Sequence, residues 1–311
     1  MILSLPINYN GYKRSDCCVI QKRSLIRTMV HMRVIDSFLY NGEPIVAFRL
    51  KLLDPVVDEF IITECKYTHS GKEKPFLWCD KNAEVFEPYK HKVRIVKLEE
   101  IPPMPEDWMK RSHSGFMKNA MDWWRENYQR DVIANYVQEN SVNSVDKDTP
   151  FILICTDADE IPNPAIFQHR EMLYNQMLTD PVYFQMMFFY YNFQWRKSEL
   201  WYSGYMVTDQ TYKKDTLSNL RCYYPKRLIV RDGGWHCGYF FSLEDLQRKI
   251  DSFAHQEWNH EKYKDPAHLR FCLDNGKDLF LRDKEDMNLH DMTGLPGGWQ
   301  EVQKEILKIQ E

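Results

Sequence analysis

The segment Phe151-Ile152-Leu153-Ile154-Cys155-Thr156-Asp157-Ala158-Asp159-Glu160-Ile161-Pro162 constrains the fold of this chain more than any other. Five apolar residues in succession read as a strand buried on both faces, as in a sheet covered by helices on each side. The strand runs directly into three carboxylates within four positions, and Pro162 and Pro164 prevent it from continuing. Carboxylates packed this closely repel one another unless a cation or a proton neutralises them. Oxygen-rich sites of this kind suit Mn²⁺ or Mg²⁺, ions that often hold a substrate diphosphate as well. Asp159 is the first candidate metal ligand. Asp157 is the second contact, through ribose or water, and Glu160 reads as a cap or an orienting group. The plain alternative for any D-x-D is an acidic turn capping the next helix. The buried strand before it and Glu-Ile-Pro after it favour a metal–diphosphate site.

Strands and helices alternate on either side of this segment. Val34 to Tyr40 reads as a strand ending at Asn41-Gly42-Glu43. Pro44 suits the first turn of a helix with Ile45, Phe48 and Leu52 at helical spacing, and Pro55 ends it. Glu59 to Glu64 and Val93 to Leu98 are further strands, and Glu99 to Gly115, with three prolines, is a long loop. Phe116 to Val137 carries an amphipathic helical pattern. After the acidic turn, Val182 to Tyr191, Trp201 to Thr208 and Arg227 to Asp232 read as strands, and Asp232 to Gly238 as a glycine-rich turn. Ser242 caps a helix with Leu243, Leu246, Ile250 and Phe253 on one face, and Gln300 to Gln310 forms a last helix with Val302, Ile306 and Ile309 inward. The expected fold is α/β, a mainly parallel central sheet flanked by helices. The division is an N-terminal extension over 1–32, a single catalytic domain over 33–298 and a C-terminal helix over 299–311. Ligands in such sheets bind beyond the carboxyl ends of the strands, where Asn41, Glu43, Glu64, Asp157 and Asp159 all fall.

Lysines and arginines number 41 against 45 aspartates and glutamates, a net charge of −4, so the chain carries no basic footprint for nucleic acid. Aromatic residues make up 14%, and their flat faces suit sugar rings as well as core packing. None of the eight cysteines forms a C-x-x-C pair, which argues against structural zinc. Their low density favours a reducing compartment. The uncharged run Pro181 to Trp195 is shorter than the roughly 18–20 residues that span a bilayer. The chain as given reads as soluble and cytoplasmic, with no membrane span.

Several blocks stand in order along the chain: Asn41-Gly42-Glu43 with Phe48-Arg49-Leu50, Val57 to Glu64, Thr68 to Pro75, Thr156 to Pro162, Gly233-Gly234-Trp235-His236 and Ser252-Phe253-Ala254-His255. Together they resemble glycosyltransferase family 17. The resemblance spans about Val34 to Asn259. It implies a GT-A-like nucleotide-sugar-binding fold, a nucleotide-sugar donor, Mn²⁺ or a similar divalent ion, a glycan acceptor and inversion at the anomeric carbon. UDP-N-acetylglucosamine is the simplest donor. Anchored relatives would place such a domain in the Golgi lumen. A transferase of another nucleotide sugar in a microbial or viral pathway, a metal-dependent phosphohydrolase or nucleotidyltransferase, and a glycan-binding protein without chemistry are the competing readings.

Within that reading, His236 behind a Gly-Gly pair is a third candidate for the metal shell. An inverting transfer needs a carboxylate to take the acceptor proton. Asp232, 73 positions after Asp159 and at a strand end beside the glycine-rich turn, is the first choice, and Glu257, 98 positions after Asp159, is the alternative. Arg130 and Arg125 on the long helix could reach a diphosphate, which a planar guanidinium grips well, and Lys74 is a similar candidate. The bland reading of Glu126 and Arg130, four residues apart, is a solvated surface pair. Asn41, Glu43 and Glu64 fall where the nucleoside of the donor would lie. Trp235 and Tyr190 read first as core aromatics.

Overall fold

Buried apolar strands alternating with amphipathic helices condense around one large sheet. The computed structural model describes residues 7–9, 32–112, 119–143, 149–222, 228–282 and 287–311. The strands are β1 (Ile7–Tyr9), β2 (Arg33–Leu39), β3 (Glu59–Cys65), β4 (Val93–Leu98), β5 (Phe151–Cys155), β6 (Glu160–Pro162), β7 (Val182–Tyr190), β8 (Trp195–Trp201), β9 (Tyr205–Thr208), β10 (Leu228–Gly238) and β11 (Asn288–Leu289). Their spatial order is β1-β10-β7-β9-β5-β2-β3-β4, with β6 on β10, and β8 joining β7 to β11. β2 pairs in parallel with β3 and β5, β3 with β4, and β10 with β7. The remaining ladders are antiparallel: β1 and β6 on β10, β9 on both β5 and β7, β8 on β7, and β11 on β8.

The sheet is therefore mixed, which corrects the expectation of a mainly parallel one. The cause is β9. The chain reverses at the turn after β7, and β9 continues the direction of β8 to lie antiparallel between β5 and β7, a hairpin connection too short for a right-handed crossover. The expected single strand Trp201 to Thr208 is in fact the end of β8, a break, and β9. β10, β7, β5, β2, β3 and β4 nevertheless point one way, so their carboxyl ends share an edge.

Helices cover both faces. α1 (Val46–Leu53) and α6 (Arg170–Gln176) pack on one, where Val46, Leu50 and Leu173 meet Val34, Phe38, Ile152 and Ile154. α5 (Ala120–Asn143) and α7 (Leu217–Arg221) cover the other, where Ile133, Val137, Leu217 and Leu220 meet Ile35, Ile61 and Leu153. The alternation along β2 and β5 sends successive residues to opposite clusters, as period-two strands must. Short helices α2 (Trp78–Lys81), α3 (Ala83–Phe86) and α4 (Trp108–Arg111) lie between, the last inside the segment expected as loop.

α8 (Leu243–Ser252) begins where expected, with the Ser242 hydroxyl accepting from the Asp245 N–H at 3.1 Å. It packs with α9 (Glu261–Lys264) and α10 (Pro266–Asn275) through Leu246, Ile250, Tyr263 and Leu269. α11 (Trp299–Gln310) buries Val302 and Ile306 against Ile45 and Phe48. Ile309, expected inward, is exposed, and Gln310 is buried in its place, bonded to the carbonyls of Tyr191 and Phe241. The proposed start of the long helix at Phe116, and of a strand at Arg227, lie outside the described residues. So does most of the proposed 1–32 extension, of which β1 forms a sheet edge.

Candidate active site

The acidic turn stands where β5 ends, held by a residue that the sequence reading did not single out. Arg49, on α1, is fully buried and makes a two-pronged pair with Asp36 of β2, Nε to Oδ2 at 2.9 Å and Nη2 to Oδ1 at 2.6 Å. Its Nη1 donates to the carbonyls of Asp157 at 2.7 Å and Glu160 at 2.9 Å, and Nη2 reaches the Thr156 hydroxyl. The turn is thus pinned through its backbone carbonyls at the carboxyl end of β5. The available signal was a lone Asp in a strand and a lone Arg in a helix, each otherwise apolar inward.

Asp157 accepts from two arginines. Arg130 Nη2 meets Oδ1 at 2.8 Å and Arg221 Nη2 meets Oδ2 at 2.5 Å. Burial opposes ionisation of Asp157, but Arg221 and then Arg130 outweigh it and bring the pKa down to about 2. Glu160 is wholly buried. It accepts from Arg221 at 2.7 and 2.9 Å, from Trp201 Nε1 at 2.6 Å and from the Asp157 N–H at 2.9 Å. These four bonds all go to the protein's own groups and fix Arg221 and the turn.

Asp159 has different company. Lys249 Nζ on α8 donates to Oδ2 at 2.9 Å, and His236 Nε2 on β10 lies 3.6 Å from Oδ1. Burial again opposes ionisation; Lys249 first, and His236 after it, hold this carboxyl well below the usual range. The backbone couples the two strands here, with the Cys237 N–H on the Asp159 carbonyl at 2.7 Å. His236 is clamped between Phe188, stacked at 4.4 Å, and Trp201, also 4.4 Å away. Its Nδ1 is buried without a partner among the described residues. Glu43 lies in the field of Lys249 and Asp159, and burial raises its pKa despite Lys249. Its Oε2 accepts from the Asn41 N–H at 2.7 Å, and Asn41 Nδ2 donates to Ser252 of α8 at 3.2 Å.

Asn41, Glu43, Arg130, Asp157, Asp159 and His236 are thus gathered at one edge. The Glu126–Arg130 pair exists at 3.1 Å, but it is not the solvated surface contact that the bland reading supposed. Arg130 is 2% exposed and links Glu126 to Asp157. Arg125 stands apart, bonded to Asp122 at 2.8 Å and to the His69 carbonyl at 3.2 Å. Glu64 and Lys74 are a buried pair at 2.5 Å, and Glu64 also accepts from the N–H groups of Trp78 and Cys79. Its oxygens start α2, an arrangement that serves the fold.

Neither proposed base is brought to the turn. The glycine-rich segment around Asp232 is no turn but the middle of β10, bulged between Val230 and Gly234. Asp232 is exposed there at a φ of 51°, four residues before His236, or roughly 13 Å along a strand. Glu257 pairs with His255 at 2.7 Å and with Asn119, at the start of α5. Asn119 and Arg130 are about 16 Å apart along that helix. Trp235 and Tyr190 are core aromatics, as read. Arg221 and Lys249 escaped the sequence reading. Arg221 sits on a five-residue helix without periodicity, and Lys249 lies on α8, where the pattern drew attention only to the apolar face.

Among the described residues no three His, Cys, Asp or Glu side chains converge as a ready metal cage. None of their helices is long and apolar enough to cross a membrane, and their cysteines are free thiols. Acids, arginines and a histidine at the carboxyl ends of the strands of an α/β sheet stand where sheets of this kind bind their ligands. The model of glycosyltransferase family 17 matches residues 7–297, and the chain belongs to that family. Comparison with proteins of curated function found no match. The protein is a glycosyltransferase, acting between a sugar donor and a glycan acceptor.

Proposed function

We propose that the protein transfers a sugar from a UDP-linked donor, N-acetylglucosamine in the first instance, onto a glycan hydroxyl. The reading includes a GT-A-like fold, inversion at the anomeric carbon and a divalent ion, Mn²⁺ or Mg²⁺. The observation that carries it is the placement of Asp159 and His236, 3.6 Å apart, at the carboxyl ends of β5 and β10. One carboxylate and one imidazole suit an ion that takes its other ligands from a diphosphate and water, as Mg²⁺ commonly does. Asp159 and His236 would hold that ion, and bound there it would stabilise the negative charge that develops on the leaving diphosphate.

The side chains around it divide the remaining work. Lys249, bonded to Asp159, supplies a second positive charge on the leaving-group side. Asn41 and Glu43, just beyond the end of β2, would contact the donor's nucleoside. In the transfer the acceptor oxygen bonds to the anomeric carbon, the bond from that carbon to the diphosphate oxygen breaks, and the acceptor proton passes to a base.

Release of UDP from a panel of UDP-, GDP- and CMP-sugars, with Mn²⁺ or with chelator, tests the reading. Mn²⁺-dependent release from UDP-N-acetylglucosamine is expected. Preference for another sugar on the same nucleotide would move the donor identity, and release unaffected by chelation would remove the metal from the account.

A further inference from the structure

Asp157 and Asp159 belong to one short motif, yet their surroundings differ in kind. Each oxygen of Asp157 is taken by a different guanidinium, Arg130 on α5 and Arg221 on α7. A cation approaching Asp157 would meet two fixed positive charges. Asp159 instead faces an amine at the end of a flexible stem and a histidine nitrogen, partners that can turn aside or ligate.

The arginines are held more firmly than Asp157 alone would require. Arg221 forks onto both oxygens of Glu160, and Glu160 is itself fixed by Trp201 and the Asp157 backbone. Arg130 makes its bonds through Nη2 alone, to Glu126 and Asp157, while its buried Nε has no acceptor among the described residues. A buried donor left unmatched among the described residues, in a site of this charge, suits an acceptor that a bound anion would bring. Paired guanidinia with spare N–H groups fit the oxygens of a diphosphate, which they can grip in parallel.

We propose that Asp157 is a positioning residue rather than a cation ligand, holding Arg130 and Arg221 ready to grip the donor's diphosphate. This rests on the nucleotide-sugar reading for the source of the anion, though not for the grip itself. Glu160 becomes the lock on Arg221, and the motif splits into one acid for the ion and one for the arginines.

The test is a titration of the full chain with inorganic pyrophosphate, UDP and uridine, each with Mn²⁺ and with chelator. The wild-type protein should bind pyrophosphate and UDP, with uridine much weaker. Arg221→Gln and Asp157→Asn should each weaken pyrophosphate and UDP by about tenfold or more while leaving uridine unchanged. Asp157→Asn should keep the Mn²⁺ dependence of UDP binding, which Asp159→Asn should lose. Arg221→Gln strands a buried Glu160, so Arg221→Lys, which keeps the charge and loses the fork, and Arg130→Lys serve as further variants. Loss of Mn²⁺ dependence in Asp157→Asn, or unchanged pyrophosphate binding in the arginine variants, would overturn the proposal. Pyrophosphate bound without UDP would leave the grip standing and remove the UDP donor; neither bound would remove the grip.

Discussion

Arg49 spends its guanidinium entirely inside the protein, on Asp36, on Thr156 and on the carbonyls that shape the acidic turn. Removing one partner of such a buried pair leaves an uncompensated charge, at a cost of about 3–5 kcal/mol. Arg49→Met should therefore lower the unfolding free energy by that amount in urea titrations, and Asp36→Leu in the same chain should restore part of it. A loss within about 0.5 kcal/mol for Arg49→Met, the usual effect of a surface change, would contradict this account of the turn. At this scale the sequence displayed the acids but not their partners. Asp157, Asp159 and His236 were legible because a buried strand and a glycine pair announced them. Arg49, Arg221 and Lys249 were not, because each reaches the site from an element distant in sequence. Asp232 stood ahead of Glu257 as the base in the sequence, and only the register of β10 and the length of α5 separate both from the turn.

Among the elements, β10 shows why a glycine pair is a poor guide to a turn. Gly234 sits at a φ of 147°, and a Cβ there would fall 2.1 Å from the Ile161 carbonyl oxygen on β6. The pair exists so that β6 can lie against the bulge of β10, with Gly234 opposite Pro162 and His236 opposite Glu160. Gly234→Ala should cost about 3 kcal/mol or more through backbone strain and the clash. Gly297→Ala, with nothing within 4 Å of the added carbon, should change stability by about 0.5 kcal/mol at most. Thermal melts of the two variants side by side give the comparison, and equal losses would refute it.

α7 offers a second case at this scale, because Asp131 of α5 accepts from both the N–H and the hydroxyl of Ser218. Burial raises the Asp131 pKa to about 6, against the bonds from Ser218. A carboxyl with a raised folded pKa favours folding fully below its unfolded value, near 3.9, and that contribution disappears as pH rises through about 6. Asp157 has the opposite sign, its contribution present above the unfolded value and lost as pH falls through about 2. Denaturation midpoints between pH 4 and 6 should thus fall less steeply with pH in Asp131→Asn than in the wild type. Identical slopes would remove Asp131 from that window.

For the molecule as a whole, strand and helix alternation gave the layered α/β architecture and the edge that carries the site. It could not give the reversed β9, because a short antiparallel insertion has the same apolar pattern as a parallel strand. The central claim is that this edge binds a UDP-sugar through an ion held by Asp159. Calorimetric titration of UDP-N-acetylglucosamine tests it most directly, with Mn²⁺ and with chelator, into the wild type and Asp159→Asn. The account predicts binding that needs Mn²⁺ in the wild type and is lost or indifferent to Mn²⁺ in the variant. No binding in the presence of Mn²⁺, or the same Mn²⁺-dependent affinity in both proteins, would contradict it.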